Sequence, residues 1–440
     1  VSPLTARELR GIRFGKGLTE AQGVDADPVS YWNSGAAVDV LDGEYLVVTG
    51  SKGVGKSRLL LDLQQQELAR GATVVTIANS VEFSDPIVLE ALAGLEGAAA
   101  QAVWEMLILG WCVRDLNITV PKKLQADGAR FASPVGRRRN SLASLVKALR
   151  VEMQFDDQGQ PVFGLGAGDL SNDDPSEDVL SGLIAYCAEL RRLLCDSGRL
   201  VVLLDRLDAL GSDLLISVLP GALRAIIGLH QAGVVSTYVP VRSEVLYACR
   251  RQGWPEASHV LPYLYPLDWT PSEVEAVCEI RLGDSSDAFR ELCLGGVSVA
   301  SIADQHLGNG SLGVNPRDAL QVLSHVQRLT LSAHRATGRS ADEALTLPRS
   351  GVLTAALRAF ASEKYETAFV AENPKVAGLF EDVLARFPTL PQGELAHEAV
   401  SALREVDENL VQTLCELGVL QISEMMVSVT PVFRPHLCAR

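Results

Sequence analysis

Gly50-Ser51-Lys52-Gly53-Val54-Gly55-Lys56-Ser57 places three glycines, a lysine and a hydroxyl in the spacing G-x-x-x-x-G-K-S. The chemistry served by that spacing is the wrapping of a triphosphate. Backbone N–H groups must approach the phosphate oxygens closely, and glycine is the residue that lets the main chain do so. Lys56 would reach the β and γ phosphates, Ser57 would ligate Mg2+, and a helix starting near Lys56 would turn its positive dipole end toward the anion. Gly50, Ser51, Lys52, Gly53, Val54 and Gly55, with Arg58 just beyond, complete the expected cradle for ATP. A glycine-rich turn that binds nothing has no need of the flanking pattern. Here the strand-like Tyr45-Leu46-Val47-Val48-Thr49 precedes the loop, and Leu59, Leu60 and Leu63 follow at helical spacing.

A second set of residues could complete such a site. The apolar run Leu200-Val201-Val202-Leu203-Leu204 reads as a strand buried in a parallel sheet, and it ends in Asp205. A carboxylate at that strand end is suited to Mg2+ and its waters. Asp208 could orient or deprotonate the attacking water, or simply satisfy N–H groups at a helix start. Arg242 closes the strand pattern Val234 to Val241, where a cation could counter charge developing on the γ phosphate. Arg317, in Asn315-Pro316-Arg317-Asp318, opens a helical pattern and could reach over the nucleotide. Its alternative is a plain surface ion pair with Asp318 or a neighbour, contributing about 0 to 1 kcal/mol.

The elements that must position these residues alternate strand and helix. Strands are predicted at 45–49, 72–77, 200–204, 234–241 and 259–264, and helices from 56, over 88–113, over 141–151 and over 177–194. Residues 154–177 are too rich in turn formers for a regular element. After Pro271 helical periodicity takes over. Near the end, a helix, Gly418 and two short strands follow in the order of a winged helix. The fold class expected is therefore α/β: a P-loop NTPase parallel sheet flanked by helices, then a helical lid and a winged-helix-like C-terminal domain. The expected boundaries are a lead-in over 1–43, a core over 44–268 with insertions at 114–140 and 154–177, a lid over 269–340 and a terminal unit over 341–440.

Taken in order, the phosphate loop, Asp205-Arg206-Leu207-Asp208, Val241-Arg242-Ser243-Glu244, Leu267-Asp268-Trp269-Thr270 leading to Arg281-Leu282, and Asn315-Pro316-Arg317-Asp318 resemble the AAA+/STAND class of P-loop ATPases. More narrowly, they are similar to the bacterial branch related to origin-recognition ATPases and found in conflict and defence loci. The resemblance covers roughly residues 44 to 330. It implies a regulated switch that uses ATP to change its domain arrangement or assembly. One departure matters: where many AAA+ motors carry a glutamate directly after the magnesium aspartate, this chain has Arg206. Slow hydrolysis is expected, unless Asp208 or a neighbouring subunit supplies the base. Arg250 and Arg251 are candidate arginine fingers by position.

Composition narrows the partners. A chain of 440 residues exceeds one ordinary core, and two or three domains are expected. No apolar run long enough to cross a membrane and no signal pattern is apparent, so a soluble cytoplasmic protein is expected. The eight cysteines stand singly, without a C-x-x-C pair, which argues against a zinc site. A net charge of −15 argues against a surface that tracks nucleic acid throughout. The basic stretch from Arg114 to Arg139 reads as a solvated loop face, with an anion, nucleic-acid or partner site as its alternative. The leading reading is a switch ATPase acting with a protein partner or effector subunit, as a homo-oligomer or otherwise, in anti-phage defence. The second reading is a DNA-binding loader or transposition-type regulator. Against it, Glu405, Asp407, Glu408 and Glu416 outweigh Arg434, His436 and Arg440 in the terminal unit. A small-molecule kinase is disfavoured by the long helical extension.

Overall fold

The computed structural model describes residues 4–12, 14, 36–77, 92–93, 95–131, 133, 145, 179–205, 212–254, 257–308, 313–345, 351–387, 389–390, 393–423 and 426–438. The chain divides into two compact units. A sheet unit comprises Gly35–Thr49 and Lys56–Pro266, and a helical unit comprises Val1–Ser34, Gly50–Gly55 and Leu267–Arg440.

The sheet has β1 (Val47–Gly50, of which Val47 to Thr49 belong to the sheet unit), β2 (Thr73–Ile77), β3 (Leu200–Leu204), β4 (Ser236–Arg242) and β5 (Leu264–Pro266) in the order β2-β3-β4-β1-β5. β2 pairs parallel with β3 from Thr73↔Leu200 to Ile77↔Leu204, β3 with β4 through Val201↔Ser236, and β1 with β5 through Val47↔Leu264. The Val239 N–H donates to the Leu46 carbonyl at 2.9 Å and joins the two halves. Every residue of β3 is buried, as its unbroken apolar run requires of an inner parallel strand. Successive strands β1 and β2 are separated by β3 and β4, so the connection reverses direction at β1. That is the kind of switch point at which open α/β sheets form a crevice.

Helices flank this sheet. Leu59, Leu60 and Leu63 of the Lys56–Ala69 helix are buried, and the helix packs on β2, β3 and β4. The Gly97–Asp115 helix is apolar on all sides and buried from Ala102 to Val113, packed between the Val179–Leu194 and Ser212–Gln231 helices. Within it Glu105 forms an ion pair with Arg191 and accepts from Gln101 Nε2 at 2.9 Å.

Three elements differ from expectation. The long helix expected over 88–113 runs instead from Gly97 to Asp115, because Glu96 before it is extended (φ −126°, ψ 166°) and Gly97 has φ 57°. The fifth strand was expected over 259–264, but Ala257–Val260 is helical, Leu261–Tyr263 is a 3₁₀ turn, and the strand is Leu264–Pro266. Pro262 has no N–H to give a ladder and fixes a turn conformation, which delays the strand. Part of the basic stretch expected as a loop is the Lys122–Arg130 helix. Leu124 and Gly128 form its buried stripe, while Lys122, Lys123 and Arg130 stand exposed, so a solvated face is present but on a helix. The expected helix over 141–151, apart from Leu145, and the loop over 154–177 lie outside the described residues, as do Arg137, Arg138 and Arg139.

The helical unit packs around Phe289, Phe360, Tyr365 and Phe380. Its N-terminal segment docks on the Pro316–Ala336 helix, where Gln327 Nε2 donates to the carbonyls of Leu9 and Ile12 at 2.6 and 2.8 Å. Near the end come the His397–Val406 and Leu410–Glu416 helices and the antiparallel hairpin β6 (Leu420–Ser423) and β7 (Met426–Val429), in the order the sequence predicts. Among the described residues no helix is long and apolar enough to cross a membrane. The eight cysteines are free, and burial pushes the thiols of Cys112, Cys187, Cys249, Cys278 and Cys293 up to about 12, which keeps them protonated and unreactive near neutral pH.

One buried carboxylate ties the sheet unit together. Glu67, wholly buried, accepts from the Tyr238 hydroxyl at 2.8 Å and from Arg199 at 2.7 Å through one oxygen. Burial, reinforced by the Glu67 carboxylate, drives the Tyr238 hydroxyl to hold its proton and remain a donor. Removing that donor leaves a buried charge with a single partner. Tyr238→Phe is therefore expected to destabilise the protein by about 1.5 to 3 kcal/mol in urea unfolding. An unchanged midpoint would contradict the assignment of Glu67 as a buried tie.

Candidate functional site

The glycine-rich loop leaves β1 at Gly50 and enters the Lys56–Ala69 helix. Gly53 has φ 93° and Gly55 φ 105°, both in the left-handed region where a side chain is strained. The Val54 N–H turns back to the Ser51 carbonyl at 3.4 Å. Lys56 is only 7% exposed at the first turn of its helix, where the leading N–H groups have no partner within the helix. Two left-handed glycines and a helix start thus follow one another along the loop.

Within the sheet unit, the Ser57 hydroxyl donates to the Asp205 carboxylate at 3.3 Å. Asp205 directly follows β3, and its own N–H extends the ladder to the Ile77 carbonyl at 3.2 Å. A hydroxyl and a carboxylate so placed are hard oxygen donors. They fit Mg2+, which binds through one or two protein groups and otherwise keeps water and phosphate. Arg58 sits one residue on and pairs with Asp62 at 3.4 Å along the helix. Arg242 is the last residue of β4, the strand between β3 and β1, and it directly precedes the Ser243–Arg251 helix. Arg250 and Arg251 lie in the last turn of that helix. Arg206 and Asp208 are outside the described residues.

Within the helical unit, three successive loop residues are held by three separate elements. Lys52 forms an ion pair with Glu372, which follows the π-helical turn Tyr365–Val370. Gly53 is packed so closely by Arg317 that a Cβ there would stand 3.0 Å from Arg317 Cδ. The Val54 carbonyl accepts from the Trp269 indole N–H at 2.7 Å. Trp269 is itself bridged antiparallel to Val314. Sequence reading placed Arg317 among the site residues, but it gave no role to Trp269 as a loop contact and none to Glu372. Trp269 stands in the Leu267–Thr270 motif, but neither its contact with the loop nor that of Glu372 has a local signal, because each meets the loop over more than two hundred residues of chain.

A buried polar chain fixes the start of the helix that carries Arg317. Asn315 caps it by accepting from the Asp318 N–H at 2.9 Å, and the Asn315 amide donates to the Asp318 carboxylate at 2.9 Å. Lys364 completes the chain with an ion pair to Asp318, which is 3% exposed. Asp318 is therefore not the surface partner of Arg317 that the sequence left open as an alternative. It is an internal anchor for the turn from which Arg317 extends.

No family model matches the sequence, and no curated protein matches it. Among solved structures, the chain is similar to Cdc6p from Pyrobaculum aerophilum at 14% identity, covering 98% of this chain and 95% of that one with a TM-score of 0.36. It is also similar to the ORC2 protein of Aeropyrum pernix, a structure of ADPNP–ADP complexes, at 12% identity, 98% and 94% coverage and a TM-score of 0.40.

Breaking the anchor should be costly in a particular way. Lys364→Met leaves the Asp318 charge buried without its cation and is expected to destabilise by about 3 kcal/mol in denaturant titration. Adding Asp318→Asn to Lys364→Met should restore most of that loss. A single and a double variant of equal stability would show that the pair is not coupled.

Proposed function

We propose that this chain is an ATP-binding switch ATPase of the AAA+/STAND kind, which uses Mg2+-dependent nucleotide binding to control assembly with a protein partner. The observation that carries the proposal is the loop Gly50–Ser57 itself: left-handed backbone at Gly53 and Gly55, a buried Lys56 opening a helix, and a Ser57 hydroxyl 3.3 Å from Asp205. Lys56 would contact the β and γ phosphates, and Ser57 and Asp205 would hold Mg2+. When bound, Mg2+ neutralises charge between the phosphates. Arg242, at the strand tip, would counter charge developing on the γ phosphate, and Arg317, against Gly53, would reach over the nucleotide.

Hydrolysis in this proposal is slow, because Arg206 occupies the position after Asp205 where a water-polarising acid would serve a motor. The order of motifs along the chain extends the proposal to a regulatory subunit in a bacterial anti-phage system. The alternative of a DNA loader is the weaker reading. In the winged-helix-like end, the Leu410–Glu416 helix has no lysine or arginine to neutralise phosphates and carries Glu416.

Calorimetric titration with ATP and Mg2+ tests the site. Lys56→Ala is expected to weaken binding by about 100-fold or more, from loss of a charged contact worth roughly 3 kcal/mol. Asp205→Ala is expected to keep metal-free binding and to lose the gain that Mg2+ provides. Wild-type affinity in both variants would reject the assignment. For the switch, proteins co-purifying with the chain should differ with and without ATP; identical sets would remove that part of the proposal.

A further inference from the structure

Trp269 is a loop contact with a definite geometric consequence. Its indole N–H donates to the Val54 carbonyl at 2.7 Å, and its ring edge lies 3.9 Å from where a Cβ on Gly55 would stand. Val54 and Gly55 share one peptide unit. That unit is planar and trans, so its C=O and N–H point in opposite directions. Pinning the Val54 carbonyl on the indole therefore fixes the direction of the Gly55 N–H. The pin is needed because that peptide turns about the φ of Gly55 (105°), and glycine, with no Cβ, offers little resistance to such rotation. The indole is in turn held from behind. Trp269 bridges to Val314, next to the Asn315 cap, and packs against the core of the helical unit.

We propose that Trp269 is a positioning residue for the phosphate loop: it locks the Val54–Gly55 peptide so that the Gly55 N–H is presented to a phosphate group. The proposal rests on the reading of the loop as an ATP site and adds a residue that acts through the loop backbone. It calls for a side chain with a ring N–H, so phenylalanine, which keeps an aromatic ring without the donor, is the informative replacement.

The test compares wild type and Trp269→Phe for binding of ATP and of inorganic tripolyphosphate, each with Mg2+, by calorimetry. Loss of the one hydrogen bond is expected to weaken both ligands by about tenfold, the equivalent of 1.4 kcal/mol. Equal loss on both ligands is required, because the effect passes through the phosphates. Loss with ATP alone would mean that the ring meets the base instead, and would overturn the proposal. Tryptophan emission supplies the spectroscopic signature: the part of the signal that Trp269→Phe removes should change when wild type is saturated with tripolyphosphate. A bystander at this position would lower the unfolding temperature and leave both affinities and that emission unchanged. If Trp269→Phe does not fold, Trp269→Met, which likewise has no polar hydrogen to donate to the Val54 carbonyl, serves the same comparison. Wild type that binds neither ligand would reject the ATP reading itself; wild type that binds both, with the variant equal to it, would reject only the positioning role.

Discussion

The constraint on which the rest of the site depends is the left-handed backbone at Gly53 and Gly55. An ordinary residue there costs roughly 1 to 2 kcal/mol in backbone strain alone, and at Gly53 its Cβ would also crowd the Arg317 side chain at 3.0 Å. Glycine removes the strain but raises the entropy lost on ordering the loop. External contacts offset that cost. Lys52, Gly53 and Val54 meet Glu372, Arg317 and Trp269 in succession, so each residue of the loop's outer arm is held by a different stretch of the helical unit. The turn bearing Arg317 is fixed by Asn315, Asp318 and Lys364. A buried ion pair of this kind gives little net stability against an apolar substitute. Its physical effect here is to set the place from which Arg317 extends.

The helix that follows the loop is fixed by a comparable device within the sheet unit. Near its start, Ser57 donates to Asp205, the residue directly after β3. Near its end, Glu67 accepts from Arg199, the residue directly before β3, and from Tyr238 in β4. The helix is thus pinned along one strand at both ends by polar contacts, with Leu59, Leu60 and Leu63 filling the space between. Two pins and an apolar seam leave little freedom to rotate or slide, which keeps the buried Lys56 and its neighbouring hydroxyl in register with the end of β3.

What could be read from the sequence follows from the range of the interactions. The loop, its preceding strand and its following helix are set by adjacent residues, and the unbroken apolar run of β3 marks an inner strand with Asp205 at its tip. β5 was misplaced because apolar residues 259–264 resemble a strand until Pro262 is given its full weight as a turn former. The Lys122–Arg130 helix was obscured because its buried stripe is only Leu124 and Gly128, too thin a signal beside three basic residues. Glu372 and Lys364 are ordinary in their local context, and Trp269, although it stands in the Leu267–Thr270 motif, carries no local sign of its contact with the loop. Their roles come from contacts that only the folded chain creates, so no periodicity or spacing could have marked them.

The proposed switch does not depend on fast turnover, and this bears on the place held by Arg206. A motor must repeat its cycle, so it needs an acid beside the magnesium ligand to polarise water each time. A switch needs only that one arrangement of the protein bind nucleotide better than another. A ligand present at 100 times its dissociation constant stabilises the state that binds it by about 2.7 kcal/mol, a shift of roughly a hundredfold in a two-state equilibrium. Binding alone therefore provides enough free energy to select an arrangement, and hydrolysis is needed only to end that selection. Under this constraint the loop's geometry must be strict, since affinity for the triphosphate carries the whole effect, whereas the residue after Asp205 is released from the demand for a general base. An arginine in that position is compatible with a protein whose output is the bound state.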